Sequence, residues 1–382
     1  MTGVRDDSLF FTEDHLAFRD QLRRFVKAEI EPHVGKWDRD GLIPIELYRK
    51  ASEIGLLQIN FPETCGGVPA DRLFSIIAQE ELSYASGGVN ANLQSHTLAL
   101  PPIVHHGSDA LKARVVPAVL SGERTASLAV TEPGGGSDVA NIRTTARRDG
   151  DHYVVNGEKT FITGAMRADF ITTVVRTGGA GRHGISVLVI DGNTPGLQKT
   201  LLSKMGWRCS DTATLHFDDC RVPAANLVGR ENEGFSVAMA NFNDERLGLA
   251  ASAYGTARAA YDEALAYARQ RETFGRSIVQ HQVIRHKLVD MAQMLAATRA
   301  LLEITALRID RGVNAVADLC LLKNQATQTL AHCATEAVQI FGGAGFLEGA
   351  KVERIYREVK VMAIGGGTEE IMKELAARQM GY

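Results

Sequence analysis

Apolar and polar positions along this chain change their period twice. At the start, Leu16, Phe18, Leu22, Phe25, Val26 and Ile30 recur at steps that gather on one face of a helix. Thr12 is placed to cap that helix, Glu13 and Asp14 suit the positive end of its dipole, and Pro32 marks its stop. Helical texture continues to about residue 124. From 125 to 235 the pattern becomes short runs rich in β-branched and aromatic residues: Tyr153 to Val155, Phe170 to Val175, Ile185 to Ile190, and Asp211 to Cys220. Asp149-Gly150 and Asn156-Gly157 read as tight hairpin turns, and Gly178 to Gly184 as a loop. Strands do not alternate with helices here, which argues against a parallel nucleotide-binding sheet. From 236 onward the helical period returns, carried by Ile284, Leu288, Met291, Leu295, Thr298 and Leu302, then by Leu322, Ala326, Leu330, Cys333, Ala337 and Ile340. Small residues (Ala296, Ala297, Ala326, Ala331) would let these helices pack closely. The expected fold is mainly α with a central β domain: a helical N-terminal domain over 1–124, a β domain over 125–235 and a helical bundle over 236–382.

Bulk properties narrow the function. A chain of 382 residues exceeds what one small core needs, in keeping with several packed units. Net charge is −3 with no long Lys/Arg block, which argues against a nucleic-acid or membrane-surface partner. The first residues carry acids and lack an apolar core, so no secretory signal is expected. No run approaches the roughly 18 apolar residues that span a bilayer, so no membrane insertion is expected. The cysteines Cys65, Cys209, Cys220, Cys320 and Cys333 are scattered without a CxxC pair. They read as thiols in a reducing compartment rather than a disulfide or metal set, which makes the location cytoplasmic.

Candidate chemistry begins at Ala129-Val-Thr-Glu-Pro-Gly-Gly-Gly-Ser-Asp138. Its three glycines let backbone pass close to a ligand and aim amides at it, although no Gly-Lys-Ser/Thr comes after them and the GxGxxG order is absent. By itself this is a turn. Joined to motifs further along the chain, it makes the sequence resemble the acyl-CoA dehydrogenase family. The TEPxxGSD signature is matched by Thr131, Glu132, Pro133, Gly136, Ser137 and Asp138. Phe161-Ile162-Thr163 corresponds to the family's flavin-facing strand, which often begins with Trp. Arg271 to Gly275 matches RxTFG, Gln339 to Gly343 matches QxxGG, and Gly367-Thr368 matches the terminal GT. The motifs stand in order over nearly the whole chain.

The resemblance implies an N-terminal helical domain, a middle β-barrel-like domain, a C-terminal four-helix domain, and a homotetramer with FAD held between subunits. It implies that Ala129, Val130 and Thr131, with Thr163, serve the flavin ring, and that Arg271 and Thr273 serve the pyrophosphate, where a guanidinium fork suits phosphate oxygens. Gln339 and Gly343 would approach the adenosine half from a neighbouring subunit. Leu128, Gly136, Ser137, Phe161, Ile162, Phe274, Gln282, Ile340, Gly342, Thr368 and Glu370 complete the implied cofactor set. The implied reaction is removal of the alpha proton of an acyl-CoA by a carboxylate while hydride leaves the beta carbon for flavin N5, giving the trans-2-enoyl-CoA. An electron-transfer flavoprotein would take the electrons.

In many members the base is a Glu directly before the terminal Gly-Thr. Here that place is Gly366, which cannot take a proton. Members resembling the long-chain and isovaleryl-CoA dehydrogenases carry the base on a helix of the C-terminal domain, just before an Arg. The stretch Asn241 to Arg246 puts Glu245 there, so Glu245 is the expected base. The Gly366 backbone N–H would bind the thioester oxygen as part of an oxyanion hole. Ser137, Thr177, Asn243, Arg246 and Gly367 are the expected substrate contacts, with Arg246 equally suited to bracing its helix. This base position accompanies long or branched acyl chains in relatives, including terpenoid-derived ones. Two other readings of the fold stay open: an acyl-CoA oxidase or flavin monooxygenase that hands electrons to oxygen, and a non-catalytic acyl-CoA-binding member.

Overall fold

The computed structural model describes residues 8–240 and 242–382; Asn241 and the first seven residues lie outside the described part. The N-terminal helical domain holds α1 (Glu13–Phe25), α2 (Val34–Asp40), α3 (Glu46–Glu53), α4 (Arg72–Ala85), α5 (Gly87–Leu93), α6 (His96–His106) and α7 (Asp109–Leu120). Thr12 caps α1 as its sequence suggests, with the His15 ring answering back to the Thr12 backbone N–H, and the helix runs on as a π-helical turn to Ile30. Of the expected apolar face, Leu22, Phe25, Val26 and Ile30 are buried, whereas Leu16 is exposed.

The middle domain holds β1 (Ala126–Ala129), β2 (Thr145–Asp149), β3 (His152–Thr163), β4 (Phe170–Arg176), β5 (Ile185–Asp191), β6 (Leu197–Leu201), β7 (Thr212–Pro223) and β8 (Leu227–Val228). They form one eight-stranded sheet in the order β6-β7-β3-β2-β4-β5-β8, with β1 paired in parallel to β4. Asp149-Gly150 does turn the β2–β3 hairpin, and Gly150 takes the left-handed φ of 61°. Asn156-Gly157 does not turn. It sits inside β3 at a register shift against β7, and a Cβ on Gly157 would lie 2.7 Å from the Thr144 Cα. A bulge with a neighbouring backbone pressed against it selects glycine as strongly as a hairpin does, so the dipeptide alone could not separate the two.

The C-terminal helical domain holds α8 (Gly234–Ala240), α9 (Phe242–Gln270), the short β9 (Glu272–Thr273) and β10 (Arg276–Ser277), α10 (Gln282–Asp310), α11 (Val316–Phe341), α12 (Lys351–Ile364) and α13 (Glu369–Met380). The stripe on α11 is buried as expected, and so is most of that on α10. Ala296 and Ala297, however, face outward. The close-packed small residues lie instead on α9, where Ala250, Ala251, Ala253, Ala257, Ala259, Ala260, Ala264 and Ala268 are buried on several sides. A helix that is apolar nearly all round belongs in the middle of its domain, and α9 packs against α4, α10, α11 and α12. Contact with α4 is backbone-close at Gly255, where a Cβ would sit 2.3 Å from the Glu80 carbonyl oxygen. Beside that crossing, Glu80 and Glu81 are buried and paired with Arg23, Arg258 and Arg299.

Candidate active site

A cavity of about 1800 Å³ lies where the three domains meet. Its walls come from α4 to α6, from β1 and the loop after it, from the end of β3, from the first turns of α9 and from the turn between α12 and α13. Glu245 projects from the start of α9 into this space. Its Oε1 lies 3.4 Å from the point where a Cβ on residue 366 would stand. The carboxylate thus stands at contact distance beside Gly366, while the Leu249 Cδ1, 2.3 Å from the same point, fills the place a side chain would take. Burial pushes the Glu245 carboxyl up to about 7, against the opposing pull of Arg246 and Lys323.

The turn opposite Glu245 is set by its glycines. Gly366 has φ 65° and Gly367 φ 105°, both in the region that disfavours L side chains. A Cβ on Gly366 would also meet the Leu249 Cδ1 at 2.3 Å. Thr368 then caps α13 through the Ile371 N–H. Lys323 of α11 reaches this turn from behind: fully buried, it donates to the Gly367 carbonyl. Burial pushes its ammonium down to about 8, with Glu245 acting in the opposite direction.

The glycine-rich loop after β1 is anchored by the Glu of its own motif. Glu132 accepts from the Arg143 and Thr144 backbone N–H groups at 2.6 and 2.9 Å, and from the Lys159 ammonium at 2.8 Å. Burial alone would raise this carboxyl; Lys159 and the two amides outweigh it and hold the group below its ordinary value. Lys159, with none of its surface exposed, also donates to the Val130 carbonyl. The pair staples the loop to β3, and the Thr160 N–H bonds the Thr131 carbonyl alongside. One residue further, Phe161 takes φ 60° and remains 68% exposed. A bulky residue held in a left-handed conformation at a break in the β3–β7 register marks a place where the chain is bent for a purpose other than pairing.

Of the residues singled out from the sequence, Leu128, Val130, Thr131, Gly136, Ser137, Phe161, Ile162, Thr163, Glu245, Arg246, Gly366, Gly367 and Thr368 line this cavity together. Ala129, expected among the cofactor contacts, is wholly buried between them with no surface on the cavity. Asn243 accepts from the Arg246 guanidinium at 3.3 Å, which braces the first turn of α9. Thr177 lies elsewhere, hydrogen-bonded to Ser186 and Asn232 at the end of β4. Glu370 is exposed on the first turn of α13.

Arg271, Thr273, Phe274, Gln282, Gln339, Ile340, Gly342 and Gly343 form a second group at the far end of α9. There Tyr267 stacks on Phe341 and ties the ends of α9 and α11 together. Most of this group is exposed, Phe274 almost completely, while the Ile340 side chain is in the core. At 1.5 Å per residue, α9 holds the two groups roughly 40 Å apart.

Sequence reasoning missed Lys159 and Lys323. Lys323 carried a readable signal: it interrupts the apolar stripe formed by Leu319, Leu322, Ala326 and Leu330, where a charge is expected only with a buried partner. It also missed Arg72, which bridges Asp244 and Asp310 across the start of α9. That pairing joins residues far apart in the chain and has no local signature.

A helical domain, a β domain and a helical bundle thus close on one cavity, with the Glu245 carboxylate on its wall. Comparison with known proteins agrees at each domain. The N-terminal, middle and C-terminal domain models of acyl-CoA dehydrogenase match residues 12–123, 127–220 and 232–381. An acyl-CoA dehydrogenase of Bacillus subtilis is 38% identical over 97% of this chain and 98% of its own. The mitochondrial long-chain specific acyl-CoA dehydrogenase of Sus scrofa is 34% identical over 97% of this chain and 87% of its own. The crystal structure of a probable acyl-CoA dehydrogenase of Mycobacterium abscessus superposes with a TM-score of 0.95 at 49% identity, covering 97% of this chain and 99% of that one.

The chain belongs to the acyl-CoA dehydrogenase family, flavoprotein oxidoreductases that use FAD. The cavity suits such a cofactor. Leu128, Val130, Phe161 and Ile162 offer an apolar floor, and Thr131, Ser137 and Thr163 offer hydroxyls for the polar edge of a flavin ring.

Proposed function

We propose that this protein oxidises the alpha-beta bond of a fatty acyl-CoA to the trans-2-enoyl-CoA, with Glu245 as the group that takes the alpha proton. The observation that carries the reading is the Glu245 carboxylate on the cavity wall beside the glycine turn, its Oε1 3.4 Å from where a Gly366 Cβ would stand. FAD, when bound, supplies the hydride acceptor; the protein supplies placement and the proton acceptor. A carboxyl raised to about 7 suits this task, because a base works best when its pKa lies near the working pH. The left-handed turn at Gly366 and Gly367 would present backbone N–H to the thioester oxygen as negative charge develops there. Arg246 and Ser137, both on the cavity wall, would contact the substrate.

The separation along α9 speaks for a shared cofactor. An extended dinucleotide is shorter than the roughly 40 Å between the two groups of cofactor residues. One copy's Arg271, Thr273, Gln339 and Gly343 would therefore serve the cavity of another, which makes an oligomer, a homotetramer by family likeness, part of the reading. An electron-transfer flavoprotein would take the electrons. Long or branched acyl chains are the expected substrates, because placing the base on α9 reshapes the space beside the alpha and beta carbons.

The test is substrate-induced bleaching of the FAD-loaded protein over a panel of acyl-CoAs. Bleaching by long or branched thioesters supports the assignment. Best turnover on short straight chains would remove the substrate preference, and no bleaching by any thioester would remove the dehydrogenation itself.

A further inference from the structure

The turn between α12 and α13 has little of its own to hold it in place. Gly365, Gly366 and Gly367 follow one another and bring no side chain to pack. Glycine loses more conformational freedom on ordering than any other residue, and two of these three take left-handed backbone. Gly366 lines the cavity, and among the described residues its N–H makes no hydrogen bond. Helix α11 holds this stretch from behind. Lys323 donates to the Gly367 carbonyl, and its neighbour Asn324 donates to the Glu369 carbonyl at 3.1 Å. One helical turn further, Thr327 and Gln328 donate to the Glu369 carboxylate at 3.3 and 3.4 Å. The four side chains share one side of α11. Three of them grip Glu369, in α13, and that of Lys323 alone grips the turn itself.

A lysine is a costly way to make that bond. Its side chain has no exposed surface, and an ammonium taken out of water loses more than one main-chain carbonyl returns. The groups around it give the charge a use. Glu245 on α9 and Glu369 on α13 attract it through space, Arg246 on α9 repels it, and the Cys320 thiol lies near it on its own helix. Lys323 therefore meets the cavity machinery twice, electrostatically at Glu245 and by a hydrogen bond at the turn. In the proposed reaction the alpha C–H bond breaks, its proton passes to the Glu245 carboxylate, and the electron pair left behind shifts into the thioester. Negative charge leaves residue 245 and gathers on the thioester oxygen before hydride departs from the beta carbon. A fixed cation coupled to both places remains a countercharge throughout.

We infer that Lys323 is a positioning residue of this reaction: its ammonium fixes the glycine turn through the Gly367 carbonyl and supplies the countercharge for the negative charge that passes from Glu245 to the thioester oxygen. It works through the turn, not by touching substrate. The role rests on the dehydrogenase reading and goes beyond it.

The experiment uses the full FAD-loaded protein, Lys323→Gln and Lys323→Met, with two probes made over a range of chain lengths. An acyl-CoA with sulfur in place of its beta carbon can lose the alpha proton but has no hydride to give. Its enolate on oxidised flavin shows a long-wavelength charge-transfer band, which reads deprotonation at equilibrium. The CoA thioether of the same length lacks the carbonyl oxygen, so the ratio of the two affinities reads the hold on that oxygen. Lys323→Gln can still donate to Gly367 but carries no charge; the enolisation constant should fall about tenfold or more, with the binding ratio kept. Lys323→Met fills the space with neither property, and there the ratio should fall toward one as well. Variants that hold FAD and keep the wild-type band and ratio would overturn the proposal. So would a lower FAD content and melting temperature with both readouts normal in the protein that stays loaded. If Lys323→Met does not fold, the band in Lys323→Gln decides. If the wild type gives no band and no acyl-CoA bleaches its flavin, the dehydrogenase reading falls; a binding ratio unchanged in Lys323→Met would then overturn the hold on the turn too.

Discussion

Replacing Glu245 by Gln keeps the shape of the side chain and removes its ability to accept a proton. Deleting a positioned acid or base typically costs about 10²- to 10⁴-fold, equivalent to roughly 3 to 5 kcal/mol of barrier. The structure adds a pH signature. A carboxyl at about 7 is only about a tenth ionised at pH 6 and about a hundredth at pH 5, so kcat/KM for flavin bleaching should rise close to tenfold per unit up to pH 7 and then level. An unperturbed carboxyl at 4.5 would give a flat profile over the same range. Stability gives a second, independent sign. The folded protein holds this proton to a higher pH than the unfolded chain, so the associated stability is complete below 4.5 and is lost as pH climbs through about 7. Glu245→Gln never forms the buried anion, and should therefore gain stability relative to wild type as pH is raised from 5 to 8. The assays are stopped-flow bleaching across pH and thermal melting of both proteins at the two ends of that range. Near-normal reduction of the flavin in the variant would refute the assignment of the base. A flat wild-type profile from pH 5 to 8 would refute the claim that burial tunes it.

Lys323→Met removes the positive charge that lowers the Glu245 carboxyl, so the rising limb of the pH profile should move to higher pH; a limb that stays in place would show that the two groups do not communicate. Gly366→Ala forces an L residue into φ 65° and drives its Cβ toward the Leu249 Cδ1. A loss of at least about 1 to 2 kcal/mol in denaturant melts is expected from the backbone alone, together with slower bleaching. Arg258→Ala strips a guanidinium from the buried Glu80 and Glu81, and should cost about 3 to 5 kcal/mol of stability in the same melts. A cost under about 1 kcal/mol would mean that Arg23 and Arg299 suffice to hold both carboxylates.

The three-part texture of the chain was legible because each domain has its own hydrophobic period, and periods survive without knowledge of tertiary contacts. Helices α10 and α11 showed their buried stripes directly. Helix α9 did not, because its small residues lie on several sides and leave no amphipathic contrast to read. The Asn156-Gly157 bulge was unreadable for another reason: the demand for glycine there comes from Thr144, on a separate stretch of chain folded against it. In the candidate site, Glu245 and Gly366 were picked from motif positions, but their closeness is a tertiary fact, as are the Lys323 contact with Gly367 and the Glu132–Lys159 staple.

The geometry at residues 245 and 366 also explains why the chain carries one acid there and not two. A glutamate at 366 would begin its side chain 3.4 Å from the Glu245 Oε1, and its carboxylate would compete for the same volume above the turn. Two carboxylates crowded so closely cannot both ionise, and the proton held between them would silence whichever served as base. A neutral side chain in place of glycine avoids the charge conflict but meets Leu249 and the left-handed backbone. Glycine at 366 is thus the complement of the acid at 245. It avoids the Leu249 Cδ1 and permits the turn, whose next carbonyl, that of Gly367, accepts from Lys323.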